Sequence, residues 1–291
     1  MRIAWIIAVT LLLTQLMGPL SSPGDSSDGD AKFARLLAEK NRLLRLRHQQ
    51  SDDASVQTRL RHLAAEYKAF LRDHPQHIGA MVSYGGLLYD DQREAEAVKW
   101  WQKAIATTSD RSSDNASRAH AYNNLGQHFG ENGGAVDALR YHEKAVELAP
   151  TEPMFHYNWA TTCSVFRNEA HNFYGWDTEE VFQHSLAAYR KARDLAPAEF
   201  MFARGYAEAL YLMPGRDWSD EYEAWKFCLN QTLDDTQRQL VYCQLALACI
   251  HLEHHPEARE WLMKVDSQQY TPFRNALARK IAKVEIVKAA P

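Results

Sequence analysis

Residues 122–150 read YNNLGQHFGENGGAVDALRYHEKAVELAP, and the spacing inside this stretch decides the architecture. Tyr122, Leu125, Gly126 and Phe129 stand at offsets of three, four and seven, so they lie on one face of a helix. Ala138, His142 and Ala145 do the same on a second helix, and Pro150 stops the chain because proline cannot continue a helix. Each helix carries a small residue within its apolar face, Gly126 on the first and Ala138 on the second. Only a short side chain at those points lets the two helices approach closely.

The pattern recurs on both sides. Upstream it appears as Met81, Tyr84, Gly85 and Leu88, followed by Ala97, Trp101 and Ala104. Downstream come Trp159, Ala160 and Cys163, with Ser185 on the second helix after an insertion and Pro197 as the stop. Ala203, Tyr206, Ala207 and Leu210, then Trp225 and Cys228, form a copy with two extra residues. Tyr242, Leu245, Ala246 and Cys249, then Ala258, Leu262 and Val265, form another without insertion. Tyr67, Phe70 and Pro75 carry only the second helix of a first copy. A single helix pair of this kind cannot bury its apolar face alone, whereas several stacked in register share a continuous core. The fold expected is therefore an all-α solenoid of antiparallel helix hairpins.

These residues resemble the tetratricopeptide repeat, whose fingerprint is an aromatic, Leu-Gly, a further aromatic or aliphatic, then Ala, aromatic, Ala and Pro. The resemblance covers residues 54–268 and implies a right-handed superhelix. Its copies span 54–77 (partial), 78–111, 119–152, 153–199 with the insertion, 200–235 and 239–268. A helix over residues 31–53 and another over 269–291 are expected to cap the two ends, because terminal repeats otherwise expose their stacking faces. Asp177-Thr178-Glu179-Glu180 reads as a helix N-cap with acidic residues in the first turn.

The chain has 291 residues, 46% hydrophobic and 24% charged, which is a globular composition. A formal charge of −4 lacks the basic footprint of a general nucleic-acid binder. No phosphate loop, nucleophile elbow, dinucleotide fingerprint or His-Glu-x-x-His motif occurs, so neither catalysis nor a cofactor is expected. Met1-Arg2 followed by an apolar run from Ile3 to Leu13 reads as an export signal over residues 1–22, cleaved or retained as an anchor, with a polar linker over 23–30. The run is shorter than the roughly 20 apolar residues of a membrane span. The expected location is thus outside the cytoplasm, in a bacterial periplasm or envelope, with membrane contact only through this segment.

The resemblance also implies where a partner binds. With the first helix of each hairpin lining the concave side, residues one step off the packing face point into the groove. Those are Val82, Gly86 and Tyr89, then His120, Asn123 and Gln127, then Tyr157 and Thr161, then Arg204, Glu208 and Tyr211. Amide, hydroxyl and aromatic groups without a dominant charge suit capture of an extended peptide or protein segment. The basic carboxylate clamp of some family members is absent, since only Arg204 is cationic along this row. The insertion from Arg167 to Trp176 carries Phe173, Tyr174 and Trp176, which are expected to fold back on the helix pair or to form a second partner patch. The same insertion or the N-terminal helix would serve for homo-oligomer formation.

Rival sites are weaker. His251, His254 and His255 with Glu253 and Glu257 offer metal-ligating groups and thus a metal- or ligand-binding accessory role, but their offsets place them in a solvated inter-helix turn. Cys163, Cys228, Cys243 and Cys249 fall at packing positions without a Cys-x-x-Cys, although Cys228 and Cys243 lie on adjacent repeats where oxidation is conceivable. His142 and His156 are expected to pack in the core.

Overall fold

A computed structural model of the chain describes residues 28–49, 53–109, 112–231 and 233–289; the expected export signal lies outside them. The described residues contain fourteen α-helices and no strand. The chain divides into two compact units, Met1–Pro150 and Thr151–Pro291.

The first unit holds α1 (Asp28–Gln49), α2 (Ala54–Asp73), α3 (Ile78–Asp90), α4 (Glu94–Ala106), α5 (Ser112–Glu131) and α6 (Ala135–Leu148). Three hairpins result, α1 with α2, α3 with α4 and α5 with α6, and each second helix packs on the next first helix. The N-terminal helix is therefore more than a terminal cap: it is the first helix of a hairpin with α2. Its fingerprint is missing because this hairpin packs with bulky residues. Leu63, fully buried, stands where Ala97, Ala138 and Ala258 stand in later copies, and it lies in one apolar cluster with Leu43, Leu44, Tyr67 and Phe70.

The second unit holds α7 (Pro153–Val165), α8 (Arg167–Tyr174), α9 (Thr178–Leu195), α10 (Phe200–Leu212), α11 (Trp218–Cys228), α12 (Asp235–His251), α13 (His255–Met263) and α14 (Thr271–Ala289). Here α7 pairs with α9, α10 with α11 and α12 with α13. The last helix packs on α12 and α13 through Leu277 and Ile281, both buried. Local chemistry sets the helix starts. Asp177 accepts from the Glu180 amide while Glu180 returns a bond to the Asp177 amide, each at 2.8 Å. Asp234 and Gln237 form a second such pair at the head of α12, and Pro153 and Pro256 occupy first turns where no amide donor is required.

The small residues perform the task that their spacing predicts. A Cβ placed on Gly85 would come within 2.5 Å of Trp101 Nε1. One on Gly126 would come equally close to the His142 ring, at 2.5 Å. Trp101 and His142 are nearly fully buried, at 3% and 4% exposure, so neither ring has room to retreat. His142 is a packing residue, and burial pushes its imidazole down to about 4.

One hairpin departs from this chemistry. Trp101 and Ala104 follow Ala97 by four and seven residues; in α11 the residue so placed ahead of Trp225 and Cys228 is Glu221. A carboxyl thus replaces the small apolar residue. Glu221 is 0% exposed, and neither carboxylate oxygen has a hydrogen-bond partner among the described residues. Burial pushes its pKa up to about 7, against the opposing influence of Arg216 and Trp225.

Candidate partner-binding surface

In the first unit the first helices α1, α3 and α5 bring a polar row together. The Tyr89 hydroxyl on α3 donates to Glu131 Oε2 on α5 at 2.6 Å, and Gln127 Nε2 donates to Glu131 Oε1 at 3.0 Å. Tyr89 also packs its ring against Trp101 and His128. Burial and the adjoining Glu131 carboxylate raise the Tyr89 pKa, so its proton stays in this bond. His120 is half-buried, and burial with a contribution from Lys40 pushes it down to about 4, which keeps the ring neutral. Gly86 faces open space, since a Cβ there would meet nothing within 4 Å.

Two residues expected on this row are elsewhere. Val82 is buried, and its carbonyl accepts from the Trp101 indole at 3.2 Å. Asn123 is 0% exposed and belongs to the interior of its hairpin. Both lie two residues from a neighbour of the packing face, and stacking of the adjacent helices closes over that flank of the helix as well.

Sequence reasoning missed Lys40. It lies on α1, outside the repeat fingerprint, and its Nζ donates to Ser83 Oγ on α3 at 3.5 Å. Nearby, Arg47 of α1 pairs with Asp90 of α3 at 3.3 Å. The clue in the sequence was the length of the 31–53 helix, which suffices to pair with α2 and carry side chains of its own onto the row.

In the second unit the residues of α7 and α10 interlock. Tyr157 packs edge-on against Tyr189 and Phe202, with ring centroids 5.3 and 5.7 Å apart, and a Cβ on Gly205 would come within 2.5 Å of its ring. The Thr161 hydroxyl donates to the Tyr157 carbonyl at 2.8 Å and lies 2.9 Å from the Tyr189 hydroxyl. Burial, reinforced by the Glu208 charge, pushes Tyr157 up to about 12. These two residues are mostly structural. Arg204 and Glu208 form an i, i+4 pair at 2.7 Å, with side chains 39% and 27% exposed. Tyr211 is exposed and carries the Arg216 guanidinium over its ring at 4.1 Å.

The aromatic insertion folds back. It forms α8, ends at Gly175 in a left-handed turn of φ 72°, and lays its rings on α7 and α9. The Trp159 indole donates to the Tyr174 hydroxyl at 3.0 Å, Tyr174 stacks on Trp176, and Trp176 stacks on His184 at 3.9 Å. Phe173 packs edge-on against Tyr174.

The histidines near the last turn separate rather than converge. His251 stacks on Trp218 at 3.7 Å with its Nε2 3.0 Å from Lys280 Nζ, and His254 approaches Glu257 at 4.0 Å. His255 is buried, contrary to the expected solvated turn, because it opens α13 against the preceding helix. No group of three His, Cys, Asp or Glu among the described residues is placed to hold a metal ion. The four cysteines are buried, and none forms a disulfide among the described residues. Burial pushes Cys228 and Cys249 up to about 12 and Cys243 up to about 11, so these three are not reactive thiolates at neutral pH.

Residues 77–151, which comprise α3 to α6, match the family model for the Tetratricopeptide repeat. Over these residues the chain is similar to the tetratricopeptide repeat. Comparison with curated proteins gives no match. Among solved structures, YrrB, a tetratricopeptide-repeat protein with an unusual peptide-binding site, is 12% identical and superposes with a TM-score of 0.54 over 74% of this chain and 99% of its own. PilF of Pseudomonas aeruginosa is 13% identical, with a TM-score of 0.57 over 84% of this chain and 99% of its own. Human IFIT1, solved as a dimer with m7Gppp-AAAA, is 14% identical, with a TM-score of 0.52 over 98% of this chain and 70% of its own. These likenesses establish the fold. The tetratricopeptide fold is in general a non-enzymatic scaffold for protein–protein interaction.

Proposed function

We propose that this protein is an exported or envelope-tethered adaptor. It holds an extended segment of a protein partner along the first helices of its hairpins. The observation that carries the reading is the prior fixing of those side chains. Glu131 is held by Tyr89 and Gln127, and Arg204 by Glu208, before any partner arrives. Ordering that is already complete in the free protein is not charged against binding. The open space at Gly86 and the exposed Tyr211 ring add room for a backbone and an aromatic platform. The apolar run from Ile3 to Leu13 supports export. A peptide-binding site on the same fold in YrrB supports the mode of binding.

The test is capture of a partner from the native envelope fraction by the wild-type chain beside Gln127→Ala, Arg204→Ala and Tyr211→Ala combined. These three residues are at least partly exposed, so the variant keeps its helical circular dichroism. Partner affinity is expected to fall at least ~10-fold, the equivalent of ~1.4 kcal/mol. Equal capture by both proteins would sink the proposed surface.

A further inference from the structure

We infer that the second unit carries a phosphate-binding site at the turn end of its hairpins, where Arg216, His251 and Lys280 gather about the Trp218 ring. The site does not depend on capture of a protein partner.

The three groups come from separate elements. Arg216 lies in the turn between α10 and α11, His251 is the last residue of α12, and Lys280 stands on α14. Trp218, the first residue of α11, holds them together. The His251 ring stacks on it at 3.7 Å with the planes 1° apart, and the Arg216 guanidinium lies over it at 4.4 Å. Lys280 Nζ donates to His251 Nε2 at 3.0 Å, so the imidazole accepts at that nitrogen. Burial, then Lys280 and Arg216, push the His251 pKa down, which marks two cations acting on one ring.

These cations lack a counter-ion on the protein. Among the described residues no carboxylate lies within ion-pair distance of Arg216 or Lys280. Asp217, next to Arg216 in the chain, is engaged in capping α11, where it accepts from the Ser219 amide at 2.8 Å and the Ser219 hydroxyl at 2.6 Å. Glu221 feels Arg216, but burial raises it to about 7, so at neutral pH it is only partly ionised. Arg216 spends one donor on the Tyr211 carbonyl, at 2.9 Å, out of the five that a guanidinium carries. The adjoining surface has the same sign. Residues 271–284 of α14 hold Arg274, Arg279, Lys280 and Lys283 and no acid, in a chain whose formal charge is −4.

A phosphate group suits this arrangement better than a carboxylate does. Its charge of about −1.5 to −2 near pH 7 matches two fixed cations, whereas a carboxylate offsets one. Its oxygens point in several directions, so it accepts from a guanidinium fork and an ammonium at once. The stack on Trp218 orders Arg216 and His251 in advance, and that ordering is not charged against binding.

A phosphate group can belong to a soluble molecule or to a lipid headgroup, and the experiment separates the two. The full chain, its histidine rings labelled with ¹³C, is titrated with inorganic phosphate at constant ionic strength, with chloride and acetate as reference anions. The His251 resonance is assigned by its loss in His251→Gln. Phosphate is expected to shift it saturably and to bind at least ~10-fold more tightly than either reference anion. Lys280→Gln and Arg216→Gln should each weaken that binding at least ~10-fold, and Lys280→Arg should retain most of it. Lys280 is exposed, so its substitutions spare the core and a folding defect does not imitate the loss. Co-sedimentation with phosphatidylcholine vesicles, with and without phosphatidic acid, forms the second arm. Retention that requires phosphatidic acid and disappears in both Gln variants assigns the site to a lipid phosphate. No retention beside tight binding of inorganic phosphate assigns it to a soluble one. An equal response to all three anions, no saturable shift, or phosphate binding untouched by Lys280→Gln and Arg216→Gln overturns the inference.

Discussion

Replacing Gly85 with Val is expected to destabilise the first unit by about 3 kcal/mol, while the same change at Gly86 stays within about 1 kcal/mol of wild type. The two glycines are adjacent on α3, so propensity and chain entropy are the same for both. Their surroundings differ. The new Cβ at 85 would meet Trp101 Nε1 at 2.5 Å and Cδ1 at 2.7 Å, whereas at 86 it meets nothing within 4 Å. The Trp101 indole cannot yield readily, because it donates to the Val82 carbonyl at 3.2 Å and packs against Tyr89 at 5.3 Å. A loss of this size is a large share of the ~5–15 kcal/mol that holds a typical domain together. Hydrogen exchange of α3 and α4 under mild denaturant reads the first unit alone. Equal effects at the two positions would refute the close-approach account of the hairpins.

Glu221→Gln is expected to stabilise the second unit above neutral pH and to have little pH-independent effect. The folded-state pKa of about 7 lies above the ordinary 4.5, so the folded chain binds this proton more tightly than the unfolded chain does. Stability from the protonated acid is fully present below about pH 4.5 and is lost as pH rises through about 7. At 1.36 kcal/mol per unit, the loss reaches about 3 kcal/mol by pH 8. The Gln variant keeps the size of the side chain and removes the titration. The gap in unfolding free energy between variant and wild type should therefore open by about 3 kcal/mol between pH 4 and pH 8. A gap that stays constant with pH would show that the buried carboxyl is not the titrating group.

Much of this fold is legible in the sequence because the packing residues recur at fixed offsets. Gly85 against Trp101 and Gly126 against His142 are contacts within one hairpin, and a periodic pattern exposes such contacts directly. The first hairpin was harder to read, since Leu63 replaces the small residue and α1 therefore lacks a fingerprint. Glu221 was hidden for the opposite reason: the two extra residues ahead of α11 shift it out of register with Ala97 and Ala138, and its identity as a buried acid emerges only once the helices are aligned. The candidate surface was partly legible. Helical offsets place Tyr89, Gln127, Arg204, Glu208 and Tyr211 off the packing face, but they do not reveal how far the neighbouring helix covers each flank. That coverage buries Asn123 and Val82 and ties Tyr157 and Thr161 to Tyr189. Lys40 depends on a contact across forty-three residues, between α1 and α3, which no local spacing announces.

The central claim is that the first helices receive the partner. Hydrogen exchange on the full chain, with and without a captured segment, tests it most directly, because binding slows the local openings of the helices it covers. Added protection on α3, α5, α7 and α10, with α4, α6, α9 and α11 unchanged, is the result expected. Protection confined to the second helices or to the aromatic α8 would contradict the account and move the binding surface to the other face of the hairpins.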